Sequence, residues 1–244
     1  MEFPWIDSDV PYLTVEQMGE VDRLMIEEFG IDLVRMMENA GRSLAHLARH
    51  RFLDGDPRRK TVVVLAGTGG NGGGAMVAAR RLHGYGADVR VAVTAPRERM
   101  SPVAAQQLDM LTRLDLPVLV HDLPYATADL IIDGLVGYSL LGSLRGRAAE
   151  LALWANDAGA PVLALDTPSG LDASKGAVLA TAVRATATLT LALPKSGLES
   201  PEAEDVVGEL YLADISVPPQ LYAEPSLALH LESPFRQSDI VRLR

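Results

Sequence analysis

The chain contains no cysteine, which excludes disulfides and a thiolate nucleophile. Basic residues are scarce too: 22 Lys and Arg stand against 32 Asp and Glu, a formal net charge of −10. Generic nucleic-acid binding requires phosphates to be neutralised by positive side chains, and this balance opposes it. The local basic stretch from Asp56 to Lys60 reads as a solvated turn before a strand. No apolar run reaches the length of a membrane span. The opening MEFPWIDSDVPYL is acidic and lacks the basic-then-apolar order of a signal peptide, so a cytoplasmic protein without a membrane partner is expected. The histidines are His46, His50, His83, His121 and His230. None lies in the three loops singled out below, which leaves a Ser–His–Asp triad without its base.

What the chain does have is length, apolar content and glycine. Its 244 residues, 48% of them hydrophobic, suffice for a sizeable core, and one domain over 1–244 is expected. Two helices are expected over 14–50. Thr14 and Gln17 have capping-box spacing, and Val15, Met18, Val21, Met25 and Phe29 follow at helical intervals before Gly30. The second helix, from about Asp32 to His50, carries Val34, Met37, Gly41, Leu44 and Leu47 on one face, with Asn39 assigned equally to ligand or packing.

Across 61–218 the pattern becomes short apolar runs alternating with helical stretches. Runs at 61–66, 88–93, 116–121, 129–133 and 161–166 are rich in Val, Leu and Ile, as in strands buried on both faces. Helical stretches such as 75–83, 101–114 and 145–158 separate most of them. That alternation predicts an α/β fold, a mostly parallel sheet with helices on both faces in a three-layer αβα sandwich. The runs 187–193 and 209–214 are expected to form an antiparallel or mixed edge. The tail, 219–244, is expected to wrap over the surface or a partner subunit.

In open α/β sheets ligands bind beyond the carboxyl ends of the strands. Three such ends stand out. The first, LAGTGGNGGGAMVAAR from Leu65 to Arg80, holds six glycines between Gly67 and Gly74. A strand, a glycine loop and a helix place free backbone N–H groups where phosphate oxygens suit them. The stretch is neither a dinucleotide fingerprint with its acidic partner nor a P-loop. At the second end Asp133 closes a strand before a glycine-spaced loop, where it could bind a cation, hold a hydroxyl or cap the loop. At the third, Asp166 closes a strand and Ser169 follows in a loop bent by Pro168 and Gly170. An Asx-type turn would explain that pair; so would oxygen ligands from Asn71, Asp133 and Ser169 converging on one hard cation. TPSGL also differs from the G-x-S-x-G nucleophile elbow.

Taken together, LTVEQMGEVDR, MMENAGR, VVVLAGTGGNGGGAMVAARRL, DGLVGYSLLGSLRG, PVLALDTPSGLDASKG, TLTLALPKSGL and GELYLADISVP resemble, in order, the YjeF N-terminal domain family of NAD(P)H-hydrate epimerases. The resemblance spans about Leu13 to Pro218. It implies a Rossmann-like fold, a homodimer, and an isomerase that interconverts the R and S forms of hydrated NADH and NADPH. A separate dehydratase acting downstream is then expected. Potassium would be held by Asn71, Asp133 and Ser169. Substrate contacts would fall on Gly70, Asn71, Gly72, Gly73 and Gly74, on Gly137, Tyr138, Ser139, Leu140, Leu141, Gly142 and Ser143, and on Asp166, the expected acid/base, with Asp133 second. The chain departs from the family where G-N-N-G-G-D-G is usual, because Gly70 and Gly74 replace the Asn and the Asp. Tyr138 likewise stands where a small residue is usual. The alternative reading is therefore a catalytically weakened nucleotide-binding or scaffold member of the same family.

Overall fold

The computed structural model describes residues 3–6, 9–124 and 127–244. The chain runs through α1 (Val15–Glu27), α2 (Leu33–Leu47), β1 (Thr61–Ala66), α3 (Gly70–Gly84), β2 (Asp88–Val93), α4 (Pro102–Arg113), β3 (Val118–Leu119), β4 (Leu130–Gly134), α5 (Gly146–Asp157), β5 (Val162–Leu165), β6 (Ala187–Leu191), α6 (Glu204–Val207), β7 (Glu209–Ala213), α7 (Pro219–Tyr222) and β8 (Ile240–Arg242). The strands form one sheet in the order β3-β2-β1-β4-β5-β6-β7-β8, parallel throughout except for β8. Among the described residues, no helix is long and apolar enough to cross a membrane.

Alternation along β1 builds the two outer layers. Val62, Val64 and Ala66 pack with Leu44 of α2, Met76 of α3 and Leu108 of α4. Val63 and Leu65 face the other way, into a cluster with Leu151 and Ala155 of α5. A third cluster lies beyond the carboxyl ends of β6 and β7. There Met18, Val21 and Met25 of α1 meet Leu193, Ile215 and Leu221. The capping box at Thr14 is present in both directions: the Thr14 N–H donates to Gln17 Oε1 at 3.0 Å and the Gln17 N–H to Thr14 Oγ1 at 3.1 Å. Beyond Leu47 the second helix widens into a π-helical turn over Ala48–Phe52.

Three expectations need correction. Strands β6 and β7 are not an antiparallel or mixed edge but parallel members of the sheet. Short helical turns between them, ending in α6, return the chain to the same end of the sheet. The antiparallel edge is β8, which the tail supplies by pairing Ile240–Arg242 with β7. Lastly, α3 begins at Gly70, five residues before the expected 75, so most of the glycine run is helix rather than loop.

Close packing explains why Gly67, Gly72 and Gly73 are glycine. A Cβ on Gly67 would stand 1.8 Å from the Leu135 carbonyl oxygen, and one on Gly72 2.0 Å from that of Gly67. On Gly73 it would come within 2.5 Å of Met37 Sδ. From the facing helix, Gly41 completes the contact: its Cβ would lie 2.4 Å from Val77 Cβ and 2.6 Å from the Gly74 oxygen. Gly41→Ala should therefore cost about 1–3 kcal/mol by overpacking. Exposed Gly19 in α1, with nothing within 4 Å of its Cβ position, gives the opposite sign: Gly19→Ala should gain up to about 1 kcal/mol of helix propensity. Urea denaturation of the two variants checks both signs.

Candidate functional site

A cavity of about 290 Å³ opens at the carboxyl ends of β1, β4, β5 and β6, beneath α1 and α2. Its apolar wall is Met18, Met36, Met37 and Ile215; its polar side is Asn71, Tyr138, Asp166, Lys195 and Asp22. Asp166 follows the last residue of β5 with φ 70°, inside a three-residue turn closed by a 2.9 Å bond from the Thr167 N–H to the Leu165 carbonyl. This left-handed conformation is uncommon outside glycine and costs on the order of 1 kcal/mol. It is held by the Asp166 N–H, which donates to the Leu189 carbonyl of β6 at 2.8 Å.

Both oxygens of that carboxylate are engaged. Lys195 Nζ donates to Oδ1, and the Tyr138 backbone N–H donates to Oδ2 at 3.1 Å. Lys195 is only 1% exposed. Its remaining donors reach the Leu191 carbonyl at 2.9 Å and Thr190 Oγ1 at 3.4 Å, so all three N–H bonds are used. The Tyr138 hydroxyl donates to Asp22 Oδ2 at 2.5 Å. Burial raises the Asp22 carboxyl above its ordinary range, against the Tyr138 hydrogen bond and the Lys195 charge. Burial and the Asp22 charge raise the Tyr138 hydroxyl strongly, so it remains a donor.

Behind this cavity lies a second polar knot. Asp133, fully buried at the end of β4, accepts from the Leu135 N–H at 3.1 Å, the Ser169 N–H at 2.8 Å and Ser169 Oγ at 2.7 Å. Ser169 Oγ in turn accepts from the Val136 N–H at 2.9 Å. Burial pushes the Asp133 carboxyl upward, while these hydrogen bonds pull it down. A carboxyl raised in this way favours the fold when protonated. Its contribution is complete below the ordinary carboxylate range and is lost as pH rises through the raised value.

The site residues expected from sequence divide into four groups. Gly70, Asn71, Gly137, Tyr138, Ser139 and Asp166 line the cavity. Gly72, Gly73 and Gly74 are buried behind its wall, and a Cβ on Gly74 would meet Leu165 Cδ2 at 3.0 Å. Leu140 packs against the α5 cluster, while Leu141, 95% exposed, and Gly142 and Ser143 lie outside the cavity. Asp133 and Ser169 come together but do not line it. Asn39 donates to the Ile215 carbonyl at 3.4 Å, a packing role. Sequence reasoning missed Asp22 and Lys195. An isolated lysine two residues after the apolar run of β6, where the sheet places its ligands, was the available signal for Lys195; Asp22, on an amphipathic helix, gave none.

An open parallel sheet with a buried acid and base beyond its strand ends defines an α/β protein with a small-molecule site. The chain belongs to the family described as YjeF-related protein N-terminus, whose profile matches residues 34–197. It is 42% identical to an NAD(P)H-hydrate epimerase of Dehalogenimonas lykanthroporepellens, over 95% of this chain and 92% of that protein. It is 36% identical to a bifunctional NAD(P)H-hydrate repair enzyme of Salinibacter ruber, over 86% of this chain but only 41% of that one. The crystal structure of yeast ynu0 has the same fold, with a TM-score of 0.80 at 22% identity, covering 96% of this chain and 100% of that one.

Removing one member of a buried ion pair leaves the other charge stranded. Asp166→Asn should accordingly lower stability by about 3–5 kcal/mol. The double variant Asp166→Asn, Lys195→Met should recover part of that loss. Urea denaturation of the single and double variants measures the difference.

Proposed function

We propose that the protein is an NAD(P)H-hydrate epimerase, interconverting the R and S forms of hydrated NADH and NADPH. The observation that carries this reading is the buried Lys195–Asp166 pair facing a cavity at the strand ends. The family membership and the names of the similar proteins support it. The reaction inverts a carbon that bears both a hydroxyl and a ring nitrogen. As its C–O bond breaks, the nitrogen lone pair forms a C=N bond, and the hydroxyl takes a proton that the Lys195 ammonium passes on through Asp166 and leaves as water. Water then adds to the opposite face and returns the proton, so nothing is consumed. Proton transfer by a positioned carboxyl contributes about 10²–10⁴-fold to such steps. The free N–H groups of the first turn of α3, at Gly70 and Asn71 on the cavity rim, suit the diphosphate of the nucleotide. A dehydratase consuming the S form would complete the repair, and a homodimer in the cytoplasm belongs to the same reading.

The residues at Asp133 fit a monovalent cation. The carboxylate accepts three hydrogen bonds where two oxygens offer about four sites. Asn71 Nδ2 is buried with no partner among the described residues; turning the amide over would set its oxygen there instead. Asn71, Asp133 and Ser169 would hold potassium through amide, carboxylate and hydroxyl oxygens, all hard donors. When bound, the ion supplies positive charge that keeps the buried Asp133 carboxylate ionised.

Mixed R and S hydrated NADH, supplied with an S-specific dehydratase, tests the activity. The protein should speed consumption of the R form, and Asp166→Asn should slow it by about a hundredfold or more under conditions where the variant is folded. R consumed at the uncatalysed rate in the presence of the wild type overturns the reading. For the cation, potassium should raise the melting temperature relative to choline. That gain should grow as pH rises and Asp133 ionises, and should vanish in Ser169→Ala. An equal melting temperature in both salts removes the cation from the scheme.

A further inference from the structure

Tyr138 is held from two sides. Its backbone N–H bonds Asp166, while its hydroxyl bonds Asp22 in the middle of α1, 116 residues away in the chain. Between these two attachments the ring lies over the Lys195 ammonium, 5.7 Å from Nζ to the centroid, within cation–π range. One residue thus touches every charged group that lines the cavity.

The start of α1 is anchored at Leu13, whose N–H donates to the Pro194 carbonyl and whose carbonyl accepts from the Ser196 N–H, both at 2.8 Å; along its length the helix is joined to the body by apolar side chains such as Met18, Leu24 and Met25. Apolar burial is non-directional and fixes no single position. A short hydrogen bond to a half-buried carboxylate does, because its strength falls steeply with angle. The environment keeps it in place: the Tyr138 hydroxyl stays protonated and Asp22 is partly screened from solvent.

We propose that Tyr138 and Asp22 form a latch that positions Asp166 for turnover. The hydroxyl–carboxylate bond ties α1 to the loop after β4. The ring shields the Lys195–Asp166 pair from water, and the amide of the same residue holds the second Asp166 oxygen. Tyr138 and Asp22 are positioning residues, and their effect on turnover rests on the epimerase reading. The mechanical tie does not.

Wild type, Tyr138→Phe, Asp22→Asn and the double variant test this. Phe keeps the ring and the amide and removes only the hydroxyl; Asn keeps the volume and removes the charge. Coupled to an S-specific dehydratase, each single variant should lose about tenfold in kcat for hydrated NADH, the scale of one charge-assisted hydrogen bond. KM should stay within about twofold. Both substitutions break one contact, so the double variant should be no slower than the slower single one. Amide hydrogen exchange over 15–27 and 134–140 should quicken in each single variant and no further in the double. A wild-type kcat in Tyr138→Phe, or single losses that multiply in the double variant, overturns the proposal. If the wild type leaves the R form untouched, the epimerase reading falls by itself. The exchange comparison then judges the latch, and unchanged protection overturns it.

Discussion

Lys195 and Asp166 are both buried and in contact, and neither charge is tenable there alone. A lone ammonium or carboxylate removed from water carries a penalty of several kcal/mol, which attraction offsets only if the remaining donors and acceptors are satisfied. That condition organises the neighbourhood. The Leu191 carbonyl and Thr190 hydroxyl take the other Lys195 donors, so the lysine must fold back over the end of β6. The second Asp166 oxygen takes the Tyr138 amide, which fixes the loop after β4. Asp166 itself keeps a left-handed backbone, a conformation that persists only where surrounding contacts over-determine it. The cavity is the space left beside this pair.

A second constraint, steric rather than electrostatic, sets the cavity's other wall. Helix α3 starts almost at the end of β1 and lies close against α2, with glycine on both sides of the contact. The glycine run therefore has two jobs divided by position. Gly67, Gly72 and Gly73 let backbone and Met37 approach where no Cβ would fit, whereas Gly70 and Asn71 face the cavity. Gly70 has open space at its Cβ position, so its lack of a side chain is not imposed by packing. Gly74 sits behind Leu165 and Ala40, both cavity-lining, so a residue there acts on the site through the wall.

Much of the architecture was legible along the chain because it is written in local periodicity. Continuous Val, Leu and Ile runs marked β1, β2, β4 and β5, and helical spacing marked α1, with its capping box, and α2. Helices α4 and α5 fell within a residue of the expected spans. What misled was composition read without partners. Glycine signals loop when taken alone, yet here the run leads into and opens a helix that packs too closely for a side chain at Gly72 and Gly73. The tail carried no periodicity because β8 is a short edge strand, specified by the β7 edge it joins rather than by its own residues.

The sequence by itself determined the α/β layering, the order of elements and the strand ends where Asn71, Asp133, Asp166 and Ser169 reside. These follow from patterns a few residues long, and from the rule that open parallel sheets present ligands at their carboxyl ends. Only the tertiary structure decided which polar groups meet. It separated Asp133 and Ser169, bonded to each other behind the wall, from Asp166 in the cavity. It also brought in Lys195 from beyond β6 and Asp22 from α1, contacts spanning 29 and 116 residues of chain. Such pairings depend on where a folded backbone aims each side chain and on how fully it is removed from water, and neither quantity exists until distant segments pack.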